Sequence, residues 1–242
     1  MYIRLETVIL KYYGHEVEFN NLSEFKPIQM TLFDDKSVEI TGKIDRVDLG
    51  KVGDKQYIRV IDYKSSDMSI DVSKVEAGLQ IQLVTYLDAL TENTEYESSG
   101  VLYLSLLDNI YKASKNESTE KIEEEIRKLF RMKGFVLADV QVVKAMDKKL
   151  EKSNTSDIIP VALKVDGEIS SKPKTLKADE FKELQKNVRK TIKQLSTEIM
   201  KGKIDIKPYN YKKQTACSYC AYKSICNFNT SLKSNEYDYI RC

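Results

Sequence analysis

An aspartate in one strand-like stretch, followed by an aspartate and a lysine in the next, carries the clearest chemistry in this chain. Residues 40–64 run ITGKIDRVDLGKVGDKQYIRVIDYK, the pattern of two strands joined by a turn at Lys51–Lys55. Side chains in a strand repeat every two residues, so Ile58, Val60, Asp62 and Lys64 share one face. Two apolar residues anchor that face in a core, and a carboxylate and an ammonium follow at its open end. Asp45 belongs to the first strand, after Gly42 and Ile44. Two carboxylates supply hard oxygen ligands for Mg²⁺. A lysine beside them can orient or polarise a water for attack on phosphorus. On spacing alone, Asp62 and Lys64 also fit a solvated ion pair at a strand end, which contributes little.

A helix is expected one crossover later, from about Val75 to Leu90, with Val75, Leu79, Leu83, Leu87 and Leu90 as its buried stripe. Gly78, Gln82 and Tyr86 then fall at i, i+4 and i+8 on one face. Gly78 would admit a close backbone or ligand. Gln82 and Tyr86 would present an amide and a phenol, donors suited to phosphate oxygens that do not compete for a metal. A polar helix edge is the plainer reading of the same spacing. Near the end of the chain, Cys217, Cys220 and Cys226 form a C-x₂-C-x₅-C cluster. Such thiolates point to zinc or an iron–sulfur centre, with unligated free cysteines as the alternative.

Other elements must position these groups. Apolar residues at 2, 5, 8, 9 and 12 predict a first helix over 2–13, ended by Gly14. Short strands are expected at His15–Phe19 and Phe25–Phe33. Gly100 precedes VLYLSLL, a strand covered on both faces. Residues 108–175 read as an elaboration on the core: a helix through Ile122, Ile126 and Leu129 ending at Gly134, a strand FVLADVQVV, and a hairpin turning at Asp166–Gly167. Phe181, Leu184, Val188, Ile192, Leu195 and Ile199 stripe a helix from about Ala178 to Lys201, stopped by Gly202. The expected organisation is one domain over 1–206, with the elaboration at about 108–175, and a cysteine-containing tail over 207–242.

The 242 residues carry a net charge of +2 that hides an asymmetry. Residues 172–213 hold 13 Lys/Arg and 5 Asp/Glu, a local charge of +8 against −6 for the rest. That basic third suits a polyanion path such as DNA; a solvated, lysine-rich helix face is the alternative. No apolar run approaches the ~20 residues that span a bilayer. MYIRLETVILKYYGHE has no cleavable small-residue site and carries Arg4 and Glu6 in its apolar stretch, so it is no signal peptide. A cytoplasmic protein is expected, with no membrane partner and cysteines outside structural disulfides.

Taken together, GKIDR, VIDYK and GLQIQLVTYLDAL resemble the signature of RecB-family nucleases in the PD-(D/E)XK superfamily. The resemblance implies an α/β, restriction-endonuclease-like fold, a mixed sheet flanked by helices. It implies that Asp45 and Asp62, with the Tyr63 backbone, bind catalytic Mg²⁺ or Mn²⁺, that Lys64 is the catalytic lysine, and that Gln82 and Tyr86 hold DNA. Gln80 and Arg46 are further candidates for contact with DNA. KPYNYKKQTACSYCAYKSICNF resembles the end of the AddB family, the second subunits of AddAB (RexAB) helicase–nucleases. In that family the three cysteines and a fourth, far upstream, hold a [4Fe–4S] cluster. This implies a DNA exonuclease for double-strand break resection and recombinational repair, with an AddA-type helicase–nuclease subunit as partner.

The match leads us to expect a C-terminal fragment, with a cluster absent or incomplete because the upstream cysteine is missing; Cys242 matches no family ligand. The family's metal-site histidine has no evident counterpart, since His15, the one histidine, follows YYG. Two other functions share these motifs: a stand-alone iron–sulfur exonuclease of the CRISPR-adaptation type, and a non-catalytic DNA-binding module with a decayed site.

Overall fold

The computed structural model describes residues 10–107, 111–114, 116–170, 174–233 and 235–240. Glu6 and Cys242 lie outside these residues, as does most of the helix expected over 2–13. From Lys11 the chain is already strand β1 (Lys11–Phe19). Tyr12, Tyr13, Val17 and Phe19 suit a pleated edge, and pairing with a longer strand overrides the helical spacing. Gly14 ends no helix; it follows a register shift in that pairing. A small hairpin follows, β2 (Ile28–Thr31) with β3 (Ser37–Ile40). Next come the two long strands, β4 (Gly42–Val52) and β5 (Lys55–Lys64), turning at Gly53 and Asp54.

The crossover from β5 carries two helices where one was expected, α1 (Val72–Glu76) and α2 (Gln82–Thr91). The cause is Gly78, whose φ of +76° lies in the left-handed region. Its N–H donates to Val75 O and that of Leu79 to Lys74 O, closing α1 with the paired bonds of a Schellman cap. Gly78 therefore shares no helical face with Gln82 and Tyr86. A Cβ on it would lie 3.0 Å from Thr191 Cγ2, so it serves packing rather than ligand approach.

Strand β6 (Tyr96–Ser105) returns parallel to β5, as a crossover of this kind requires. It begins earlier than expected and contains Gly100. Helix α3 (Thr119–Leu129), started by the Ser118 side chain, buries none of its residues and ends before Gly134. The stretch expected as one strand divides into β7 (Lys133–Leu137) and α4 (Val140–Met146). Asp139 makes the division: its carboxylate accepts from the Gln141 and Val142 amides, an N-cap that outweighs the β preference of the valines. The Asp166–Gly167 turn is present, flanked by the single bridge Leu163–Ile169 rather than a full hairpin.

Strand β8 (Thr175–Leu176) leads into α5 (Ala178–Met200), closed at Gly202 (φ +72°) by a second Schellman pair. Phe181, Leu184, Val188 and Ile192 are buried as the stripe requires. Leu195 and Ile199 are exposed, because the last two turns of α5 run past the core. The six-stranded sheet has the order β1-β4-β5-β6-β7-β8, with parallel pairs at β5/β6 and β7/β8. The stretch read as an elaboration thus contributes strands to the main sheet. Helix α2 packs on β5, β6 and α5, burying Leu83, Val84, Leu87 and Leu90.

The tail forms a small sheet in which β9 (Tyr209–Tyr211) pairs with β10 (Gln214–Thr215) and β11 (Asp238–Tyr239). Buried Tyr211 ties it to the N-terminus of α1, its hydroxyl 3.5 Å from Asp71 Oδ2. A 3₁₀ turn at Ala216–Tyr219 carries Cys217, Cys220 follows it directly, and the one-turn helix α6 (Lys223–Cys226) ends on Cys226.

Candidate active site

The antiparallel register of β4 and β5 ends at the Arg46–Ile61 pair; Asp45 and Asp62 follow directly, and the same alternation continued puts them on the face of Val47 and Val60. Residues opposite one another in an antiparallel ladder project from the same face. Val47 and Val60, the preceding pair on that face, are fully buried, so the core ends where the carboxylates begin. Asp45 Oδ2 accepts the Tyr63 amide at 2.9 Å, which ties the end of β4 to β5. Asp62 is 2 % exposed. Its Oδ2 forms a close ion pair with Lys64 Nζ at 2.6 Å. Burial raises the Asp62 carboxyl above the usual range; Lys64 pulls it back and Asp45 pushes it up again.

Lys64 joins the strand to the helix above it. Its ammonium is 3.4 Å from Gln82 Oε1, and Gln82 Nε2 donates to Tyr86 Oη at 2.9 Å. With its oxygen accepting from Gln82, the Tyr86 hydroxyl can turn its own proton outward. The Tyr86 ring is held edge-on against Phe19, 5.9 Å between centroids. Asp45, Asp62, Lys64, Gln82 and Tyr86 are therefore brought together at one end of the sheet.

Two expected members stand elsewhere. Gln80 is committed to the loop before α1: its Oε1 accepts from the Asp71 amide at 3.0 Å and its Nε2 donates to Ser69 O at 3.3 Å. Arg46 alternates with Asp45 and so projects from the opposite face. There its Nε donates to Asp48 Oδ1 at 2.8 Å. Arg59, paired with Asp48 in register, donates to the same carboxylate from Nε at 2.8 Å and lies 2.6 Å away at Nη2. This buried Arg–Asp–Arg cluster escaped the sequence reading. Its signal was Arg46 and Asp48 two residues apart on one face of β4, with Arg59 set inside the apolar run Ile58–Ile61 of β5. Burial pushes the Arg59 guanidinium below its ordinary value, against the pull of Asp48. His15, exposed on edge strand β1, is stacked on and hydrogen-bonded to Tyr12.

A second omission is Tyr103 in β6, in parallel register with Asp62. It is buried, and burial with the nearby Asp62 pushes its phenol up to about 12. In the sequence it is the aromatic inside VLYLSLL, where it passes for core.

The donor set suits a hard divalent cation in one respect: two carboxylates lie near enough to act on each other, and that of Asp62 is almost wholly buried. Among the described residues no three His, Cys, Asp or Glu side chains gather as a metal site. That holds for Cys217, Cys220 and Cys226, which are free thiols, the last two exposed. As placed they do not fit a cluster. No helix among the described residues is long and apolar enough to cross a membrane.

A sequence model of the PD-(D/E)XK nuclease superfamily matches residues 3–227. Among curated proteins, the chain is similar to the ATP-dependent helicase/deoxyribonuclease B subunit of Thermoanaerobacter sp. (strain X514), 39% identical over 233 residues that cover 94% of this chain and 20% of that protein. The protein of the same name from Acetivibrio thermocellus is 41% identical over 230 residues, 93% of this chain and 20% of its own. That of Bacillus licheniformis is 39% identical over 230 residues, with the same shares. The chain thus spans about a fifth of the length of these relatives.

Proposed function

The chain belongs to the PD-(D/E)XK nuclease superfamily, and from that premise we propose that it is a metal-dependent deoxyribonuclease hydrolysing phosphodiester bonds as an exonuclease. The observation that carries this reading is the convergence of Asp45, Asp62 and Lys64 with the Gln82–Tyr86 pair of α2. Asp45 and Asp62, with the Tyr63 backbone, would hold Mg²⁺ or Mn²⁺. Such an ion supplies an acidified water and positive charge against the phosphate.

The chain's own groups do the remainder. Lys64, held between Asp62 and Gln82, orients the attacking water and keeps it against the phosphorus. Tyr86 donates its free proton to a phosphate oxygen, and Gln82 fixes the direction of that donation. Neither group reads a base, so sequence preference is low. The basic stretch 172–213 offers a path for the strand away from this point. By similarity to the helicase/deoxyribonuclease relatives, the domain serves double-strand break resection and recombinational repair in the cytoplasm beside an AddA-type partner.

The test is cleavage of end-labelled linear duplex and single-stranded DNA by the full chain in a Mg²⁺ titration. Asp45→Ala and Asp62→Ala should each abolish cleavage with the circular dichroism spectrum unchanged. DNA binding without cleavage by the unaltered chain at any Mg²⁺ or Mn²⁺ concentration would make it a non-catalytic binding module instead.

A further inference from the structure

Asp62, Gln82 and Tyr103 lie around the Lys64 ammonium, and the site described above uses the first two. Asp62 Oδ2 lies at 2.6 Å and Gln82 Oε1 at 3.4 Å. The third is the Tyr103 ring, whose centroid is 5.4 Å from Nζ. Tyr103 is not a peripheral aromatic. It sits in β6 beside Asp62, and the parallel register puts the two side chains on one face. It is 4 % exposed, so its ring is a fixed wall rather than a mobile surface group.

A lysine has a flexible four-carbon stem and a compact charge that tolerates many positions. The 2.6 Å pair with Asp62 fixes the distance to one carboxylate oxygen but leaves the stem free to swing about it, and a cation held by Asp62 would draw on that same carboxylate. The bond to Gln82 is long. An aromatic face within about 6 Å attracts an ammonium and does so more strongly when desolvated. The ring needs no proton of its own for this, and it does not compete with either carboxylate.

We propose that Tyr103 is a positioning residue for Lys64, its ring holding the ammonium at the point from which Lys64 acts on the attacking water. The inference rests on the nuclease reading of the site. It separates the ring from the hydroxyl: the ring matters and the hydroxyl does not.

The experiment measures kcat and KM for Mg²⁺-dependent DNA cleavage by the full chain in Tyr103→Phe, Tyr103→Leu, Lys64→Ala and the Lys64→Ala/Tyr103→Leu double variant. Tyr103→Phe keeps both constants within about two-fold. Tyr103→Leu lowers kcat about ten-fold, equivalent to about 1.4 kcal/mol, and leaves KM unchanged. In the Lys64→Ala background the same change has no further effect, as coupling through one group requires.

A Tyr103→Leu variant with wild-type kcat, a loss in KM instead, an equal loss in Tyr103→Phe, or an equal loss without Lys64 would each overturn the proposal while leaving the active site standing. Cleavage by Lys64→Ala at the rate of the unaltered chain would overturn the site assignment and this proposal with it, whereas a much reduced but measurable rate is what the double variant is compared with. Should Tyr103→Leu fail to fold, the unaltered protein still decides: the Lys64 Hε protons, assigned with Lys64→Arg, should be ring-current shifted upfield. Random-coil shifts there would overturn the contact.

Discussion

Asp48 is fully buried between two guanidinium groups, and replacing it with asparagine tests how the strands beneath the site are held. Its Oδ2 is 2.6 Å from Arg59 Nη2 and its Oδ1 2.8 Å from Arg46 Nε. Arg59 is 2 % exposed, and its Nη1 already lacks a hydrogen-bond partner among the described residues. In Asp48→Asn both cations lose their counter-charge, and Arg59 cannot reach water without opening the β4–β5 ladder. Removing one partner of a buried ion pair costs about 3–5 kcal/mol. Asparagine retains one acceptor oxygen, so about 3 kcal/mol is expected. For a chain of this size 1 kcal/mol moves Tm by roughly 2–4 °C, giving a fall of roughly 6–12 °C. Differential scanning calorimetry at neutral pH reads it directly. Converting both partners to apolar groups, Asp48→Leu with Arg59→Met, should recover most of the loss, since packed hydrophobic residues can replace a buried pair. A Tm shift under about 2 °C for Asp48→Asn, or a double variant no more stable than the single, would refute the assignment of this cluster as a structural clamp.

Other outcomes follow from the same structure. Gly78→Ala should cost about 1–2 kcal/mol in urea unfolding, since the position needs a left-handed backbone and a Cβ meets Thr191. Gly202→Ala, with nothing within 4 Å, should cost about 1 kcal/mol, from the backbone alone. Gln80→Ala should lower Tm and leave the KM for DNA unchanged, whereas Gln82→Ala should impair cleavage with Tm unchanged; the reverse pattern would exchange their roles. Leu184→Ala should destabilise by about 2–5 kcal/mol, while Ile199→Ala, exposed at the end of α5, should stay within about 0.5 kcal/mol.

The hairpin and its chemistry were legible because a period of two is unambiguous where apolar residues lead up to a charge, as in Ile58, Val60, Asp62 and Lys64. Helix α5 was legible too, with both its start at Ala178 and its stop at Gly202. Its last two apolar positions were not, because periodicity reports which face is apolar but not where the core stops. The break at Gly78 was hidden for a related reason: Leu79 and Leu83 continue a helical stripe across it, and only the backbone dihedral shows that the stripe changes helix. Residues 11–13 and 138–143 failed in opposite directions. In the first, sheet pairing overrode helical spacing; in the second, one capping aspartate overrode β preference. At the site, Asp45, Asp62, Lys64, Gln82 and Tyr86 were found through motif spacing, and the structure brings them together. Arg46 and Gln80 lie inside the same motifs, yet the pleat turns one away and a loop amide occupies the other. Tyr103 carried no signal, since an aromatic in a central strand reads as packing until its neighbours are known.

The central claim is that Asp45 and Asp62, just past the last β4–β5 pair and close enough to act on each other, share one divalent cation. Mn²⁺ binding to the full chain, followed by electron paramagnetic resonance in the absence of DNA, tests it without relying on turnover. One ion per chain is predicted, with the signal of bound Mn²⁺ lost in Asp45→Asn and in Asp62→Asn alike. Binding that persists unchanged in both variants would contradict the account.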